Sequence, residues 1–199
     1  MRVISGTAKG RRLKSVPGDT TRPIMDRVKE SLFNIVGQDV IGTRWLDLFA
    51  GTGQVGIEAL SRGAAEVVFV DMAKAAIKTI WANVKHCRFE EGAEVIQSDS
   101  FGLLEKMTSG RWRGAKFDTI FIAPPQYLEM WHKAIDVIDK NPEQFLFDGG
   151  EVIVQVDPFE YKTKEGDIVW EPQNLVLNDQ RKYGRTLILF YDYEKPESN

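Results

Sequence analysis

The sequence predicts an α/β fold. It has a seven-stranded, mainly parallel sheet with helices on both faces, an antiparallel strand pair at its C-terminal end and a small basic β-hairpin at its N-terminus. Three observations predict it. From Gly42 onward, apolar runs of five or six residues alternate with amphipathic segments of helical period, as βαβ units require. The last two apolar runs, 175–177 and 186–191, have Tyr183-Gly184 between them and read as an antiparallel pair. With 199 residues, 43% hydrophobic and 28% charged, the chain has the profile of one globular domain, which excludes collagenous, disordered and fibrous classes.

In chain order, residues 2–5 and 11–16 are β-type runs separated by Gly6 and Gly10, a hairpin with basic side chains on one face. A solvated edge kept soluble by its charge is the alternative reading. Pro17-Gly18-Asp19 is turn chemistry, and Thr21-Arg22-Pro23 leads into a helix. From Asp26 to a stop at Gly37, Val28, Leu32, Ile35 and Val36 make one apolar face, and Arg27, Lys29, Glu30 and Asn34 show on the other. Residues 45–49 form a strand, 55–61 a helix with Gly63 as its C-cap, and Glu66–Asp71 a nearly continuous apolar strand of the kind covered on both faces. Helix 73–85 aligns Ala76, Ile77, Ile80 and Val84. Strand 94–99 follows, then a short helix marked by Leu103, Leu104 and Met107. Phe117–Ile122 is a strand stopped by Pro124-Pro125, Met130–Asp139 a helix, and 151–156 the fifth strand.

Cysteine and charge narrow the class. Cys87 stands alone, so no internal disulfide forms, and with only His86 and His132 beside it no structural zinc set is expected. No apolar leader and no run of about 18 apolar residues is present, which points to a cytoplasmic chain without a membrane span. A net charge of −3 argues at first against an acidic partner. That charge is uneven, however: residues 1–30 hold eight basic and three acidic side chains, a balance of +5, which leaves −8 on the rest.

The chemistry concentrates at strand ends. Asp47-Leu48-Phe49-Ala50-Gly51-Thr52-Gly53, with Gly56 three residues on, is a glycine-rich turn between a strand and a helix, where backbone approaches a ligand closely. Two ligands compete for it. Gly51 to Gly56 satisfies G-x-G-x-x-G, as a dinucleotide pyrophosphate requires. Asp47 opposes that reading, because a carboxylate there repels a pyrophosphate but accepts hydrogen bonds from an ammonium such as the amino-acid end of S-adenosylmethionine. Asp71 ends the second strand twenty residues after Gly51, suited to ribose hydroxyls, and Asp99 ends the third, suited to an adenine amino group. Each acid alone also fits a helix cap or a solvated loop. Three at the ends of successive strands point to a nucleoside-type cofactor, with Phe49, Gly51, Thr52, Gly53, Met72 and Ser100 completing the candidate set. The fourth strand runs into Ala123-Pro124-Pro125-Gln126-Tyr127, a rigid turn followed by an aromatic able to stack on a flat base; a plain strand terminator is the alternative.

These residues, in this order, resemble the class I S-adenosylmethionine-dependent methyltransferases of Rossmann-like fold. More narrowly, they resemble the bacterial small-subunit (16S) ribosomal RNA guanine-N2 methyltransferases of the RsmD type. The stretches that carry the resemblance are Arg2 to Gly6 with Lys9-Gly10-Arg11, Thr21-Arg22-Pro23 through Asn34, Asp47 to Gly53 continuing through Glu58 to Ala64, and Arg181-Lys182-Tyr183-Gly184. The resemblance implies methyl transfer to the exocyclic N2 of one guanine in 16S rRNA, free or in the assembling small subunit, by a protein expected to be a monomer. It implies a basic RNA-binding extension over 1–41 using Arg2, Lys9, Arg11, Arg12, Lys14, Arg22 and Arg27, and a methyltransferase domain over 42–194; by composition, residues 195–199 read as a disordered tail.

The resemblance further implies that residues 123–127 hold the target base. An exocyclic amine is a poor nucleophile, and the family sets an Asp or Asn, two prolines and an aromatic against it. Here Ala123 replaces the acid or amide and Gln126 is inserted before the aromatic. Alanine accepts no proton. The backbone carbonyls of Ala123 or Pro124 then suffice, or Gln126 supplies the oxygen, or the protein binds cofactor and RNA without efficient catalysis. Loss of one oriented hydrogen-bonding group costs about 3 kcal/mol rather than all activity, so activity is expected. The alternatives are a degenerate RNA-binding or ribosome-assembly factor, methylation of DNA adenine N6 or a protein glutamine, and a dehydrogenase.

Overall fold

Seven strands form the sheet that the apolar periodicity predicts. The computed structural model describes residues 1–18, 24–126, 128–162 and 166–196, and the chain divides into two units, Met1–Ser100 and Phe101–Asn199. Asp19, Thr21-Arg22-Pro23, Tyr127 and residues 197–199 of the expected tail lie outside the described residues.

The first unit contains α1 (Asp26–Val36), β1 (Arg44–Asp47), α2 (Gln54–Arg62), β2 (Glu66–Asp71), α3 (Lys74–Cys87) and β3 (Ala93–Gln97). Its strands are parallel in the order β3-β2-β1, with Trp45 opposite Val67 and Val68 opposite Glu94. Val67 to Val70 are fully buried, the burial of a strand covered on both faces. One expectation fails on α1. Lys29, assigned to its outer face, is fully buried, and Ile35 is 39% exposed. Lys29 and Phe33 lie a turn apart in a second inward stripe, where Phe33 stacks on Trp45 at 5.5 Å and Lys29 meets a buried carboxylate.

The N-terminal hairpin is shorter in its pairing than two regular strands. It consists of one bridge, Arg2 to Arg12, supported by Val3 N–H donating to Arg11 O and Gly10 N–H to Val3 O. Its inward residues Val3, Ala8 and Leu13 are buried. Gly6 is required here: its φ is +80°, and a Cβ would fall 1.6 Å from Ser61 O of α2.

The second unit contains α4 (Ser100–Thr108, its first residue in the first unit), β4 (Phe117–Ile122), α5 (Met130–Asp139), α6 (Pro142–Phe145), β5 (Leu146–Val156), α7 (Pro158–Tyr161), β6 (Val176–Tyr183) and β7 (Thr186–Asp192). The order is β4-β5-β7-β6, with β4 and β5 parallel and the other pairs antiparallel. Ile122 pairs with Val154, Val156 with Leu187 and Tyr183 with Thr186. Hence β4 and β5 end, and the β6–β7 turn lies, at one edge. β5 begins at Leu146 instead of 151 because Gly149, at φ +76°, and Gly150 sit within a continuing strand where a glycine pair reads as a turn. β6 is longer than 175–177 because it is a polar edge strand without apolar alternation.

Candidate cofactor and nucleic-acid site

The turn after β1 exposes backbone at the C-terminal edge of the first unit's strands. Gly51 and Gly53 have φ of +54° and +74°. A Cβ at Gly51 would meet nothing within 4 Å, whereas one at Gly56 would lie 2.3 Å from Phe69 Cε1. Gly51 therefore leaves room for a ligand, and Gly56 lets α2 pack on β2.

Asp47, at the end of β1, is 2% exposed, and its Oδ2 accepts a hydrogen bond from Gly56 N–H at 3.2 Å. That N–H belongs to the first turn of α2. The helix end that would seat a pyrophosphate is thus taken by the protein's own carboxylate, and a dinucleotide fits poorly. Burial pushes the Asp47 carboxyl up to about 7, the Gly56 N–H opposes this and the Asp71 charge adds to it. Among the described residues Asp47 joins no ion pair.

Asp71 ties the turn to β2: its Oδ2 accepts from Gly51 N–H at 2.9 Å and its Oδ1 from Ala73 N–H at 2.8 Å. A carboxylate has about four acceptor positions, so Asp71 keeps capacity for hydroxyl donors. Ser98 N–H donates to Asp71 O at 3.1 Å, which brings exposed Asp99 to the same edge. Phe49 is half-buried and Met72 is 68% exposed. Thr52 and Ser100 turn their hydroxyls inward, Thr52 Oγ1 to Met1 Sδ at 3.4 Å and Ser100 Oγ to Leu48 O at 2.5 Å, so they offer a ligand backbone rather than side chain.

A second set of residues, missed in the sequence, mounts the basic segment on this scaffold. Glu58 of α2 is fully buried and accepts from Ile4 N–H at 2.8 Å and Ser5 N–H at 2.9 Å. It pairs with Lys29 Nζ at 3.1 Å and Arg62 Nε at 2.9 Å, and Lys29 also donates to Arg2 O at 2.7 Å. Burial lowers the Lys29 pKa and Glu58 opposes the shift. Ser61 receives Ala8 N–H, and its carbonyl receives Thr7 N–H. Asn83 of α3, also fully buried, accepts from Lys14 N–H at 2.7 Å and donates to Lys14 O at 3.0 Å and Thr52 O at 2.9 Å. One amide thus joins the basic strand to the glycine turn. In the sequence Lys29 reads as part of the polar face of α1, and Glu58 and Ser61 stand out only within a stretch that carries the family resemblance.

Of the candidate RNA contacts, Arg2, Lys9, Arg12, Lys14 and Arg27 are exposed; Arg2 lies 3.3 Å from the Asp26 carboxylate. Arg11 is half-buried and donates to His86 O. Arg22 lies outside the described residues. In the second unit, Ala123 and Pro124 are half-buried, Pro125 exposed and Gln126 half-buried, all beyond the last paired residue of β4, Ile122. Tyr127 lies outside the described residues.

Known proteins are similar to this chain over most of its length. YlbH of Bacillus subtilis, whose name proposes an rRNA methyltransferase, is 38% identical over 191 residues, 96% of this chain and 98% of that one. The ribosomal RNA small subunit methyltransferase D of Haemophilus influenzae is 34% identical over 142 residues, 71% of this chain and 72% of that one. The structure of yhhF from Escherichia coli matches with a TM-score of 0.79 at 28% identity, covering 98% of each chain. The family described as Conserved hypothetical protein 95 matches residues 1–192. The chain belongs to that family, as a relative of ribosomal RNA small subunit methyltransferase D.

Proposed function

We propose that the protein moves a methyl group from S-adenosylmethionine to the exocyclic N2 of a guanine in 16S rRNA, in the cytoplasm. The observation that carries the proposal is Asp47, a buried carboxylate without a cationic partner among the described residues, beneath a glycine turn that leaves ligand space. The name of its Haemophilus relative supplies the ribosomal substrate class.

The residues fit this cofactor. Asp47 takes the ammonium, Gly51 and Gly53 admit the chain close to their backbone, Asp71 accepts from ribose hydroxyls, and Asp99 accepts from the adenine amine beside Phe49, Met72 and Ser100. When bound, S-adenosylmethionine supplies an electrophilic sulfonium methyl. The protein's remaining task is to orient the guanine and draw density onto its N2. Carbonyl oxygens at Ala123 and Pro124 accept hydrogen bonds from the amine, the proline pair holds them still, Tyr127 stacks on the extruded base, and the proton that N2 loses on methylation passes to water. The exposed cations of the hairpin and α1 hold phosphates.

The test is methyl transfer from labelled cofactor to protein-free 16S rRNA and to assembled small subunits, with nucleoside analysis of the product. N2-methylguanosine is expected, and no label on any guanine N2 sinks the proposal. Ala123 favours a second reading, a cofactor- and RNA-binding assembly factor with little transfer activity, and this predicts RNA binding without label.

A further inference from the structure

The second unit carries a cleft of about 690 Å3 at the edge where β5 ends and β7 begins. Phe159, Lys162, Gln180, Lys182, Arg185 and Leu187 line it, and among the described residues no carboxylate does. Phe159 is 79% exposed, an unusual position for a large apolar ring, yet its backbone is firmly held. Asp157, fully buried, caps α7 by accepting from Phe159 N–H at 3.0 Å, and its other oxygen lies 3.4 Å from Arg185 Nη2. One buried carboxylate thus holds the aromatic on one wall and a guanidinium on the other. Lys162 and Lys182 join no ion pair among the described residues.

An exposed aromatic between cations matches a single nucleic-acid strand, with base stacked on ring and phosphates on the charges. Three cations disfavour an apolar peptide, and a duplex keeps its bases stacked on one another. The cleft also lies along the strand edge that carries residues 123–126: β4 and β7 are separated by β5 alone, two strand spacings or about 10 Å.

We propose that this cleft is a second RNA subsite, in which a nucleotide neighbouring the target base stacks on Phe159 while Lys162, Lys182 and Arg185 hold its phosphates. The proposal rests on the reading of the protein as an RNA methyltransferase.

Fluorescence anisotropy with a labelled single-stranded RNA oligonucleotide at several salt concentrations tests it, with melting temperature and cofactor affinity as controls. Phe159→Ala is expected to weaken binding about tenfold with an unchanged salt slope. Lys162→Ala with Lys182→Ala is expected to reduce the magnitude of that slope by about 1.4. Phe159→Trp restores binding, and its added fluorescence is quenched by the RNA but not by inorganic polyphosphate. Wild-type affinity and slope in the alanine variants, or equal quenching by polyphosphate, overturns the subsite. If wild-type protein still methylates guanine N2 in that event, the functional reading stands alone; if wild type neither binds RNA nor transfers methyl, both fall.

Discussion

Asp47 stores a conflict between stability and binding. Its carboxyl is pushed from 3.8 to about 7 by burial, so between those values the folded state binds more protons than the unfolded one. Stability contributed by this group is therefore lost as pH rises from about 4 to 7. Asp47→Asn is expected to raise the melting temperature at pH 8 by roughly 2–6 °C, with a smaller gain at pH 5. The same variant loses tenfold or more in S-adenosylmethionine affinity by calorimetry. For the wild type, that affinity falls as pH drops from 8 to 6, because the carboxylate that meets the ammonium becomes neutral; a flat profile contradicts Asp47 as the ammonium partner. Ala123 is the other decisive residue. Ala123→Asp adds the acceptor absent from this turn, and product analysis is expected to show a gain in methyl transfer of up to about a hundredfold; a gain from no detectable activity supports the assembly-factor reading.

Elements hold this site through buried polar groups rather than apolar contact alone. The Lys29–Glu58–Arg62 network with Ile4 and Ser5 N–H ties α1, α2 and the hairpin together. Removing one partner strands a buried charge, so Glu58→Gln is expected to cost about 3–5 kcal/mol in denaturant unfolding. Asn83→Ala acts more locally. It frees Lys14 from the glycine turn at Thr52, and faster hydrogen exchange at Lys14 N–H, with the amides of β2 unchanged, is the expected signature. At this scale much was legible: helical and strand periods place α1 to α5 and β1 to β5 and β7 within a few residues. Of the edge strand β6 only the start, in the apolar run 175–177, was legible, because its polar remainder, with little buried face, carries no apolar alternation. The Gly149-Gly150 continuation of β5 was not, since a glycine pair inside a strand has the composition of a turn.

For the whole molecule, the net charge of −3 conceals a basic start of +5 and a remainder of −8. RNA affinity is accordingly expected to fall steeply with salt, and Arg12→Ala with Lys14→Ala to reduce the magnitude of the log–log slope by about 1.4 for single-stranded RNA. An unchanged slope removes the hairpin from the RNA contact. The sequence by itself determined the alternation of strands and helices, the glycine turn, the acids at three strand ends and the altered proline turn, because each is written in local period and residue type. Tertiary structure alone decided that the Asp47 carboxylate is buried and accepts the Gly56 N–H in the first turn of α2, that Lys29 is a core ion rather than a surface cation, and that Asp157 holds Phe159 and Arg185 at one cleft. Those facts depend on burial and on partners up to 29 residues apart in the chain, where spacing along the sequence carries no record of distance in space.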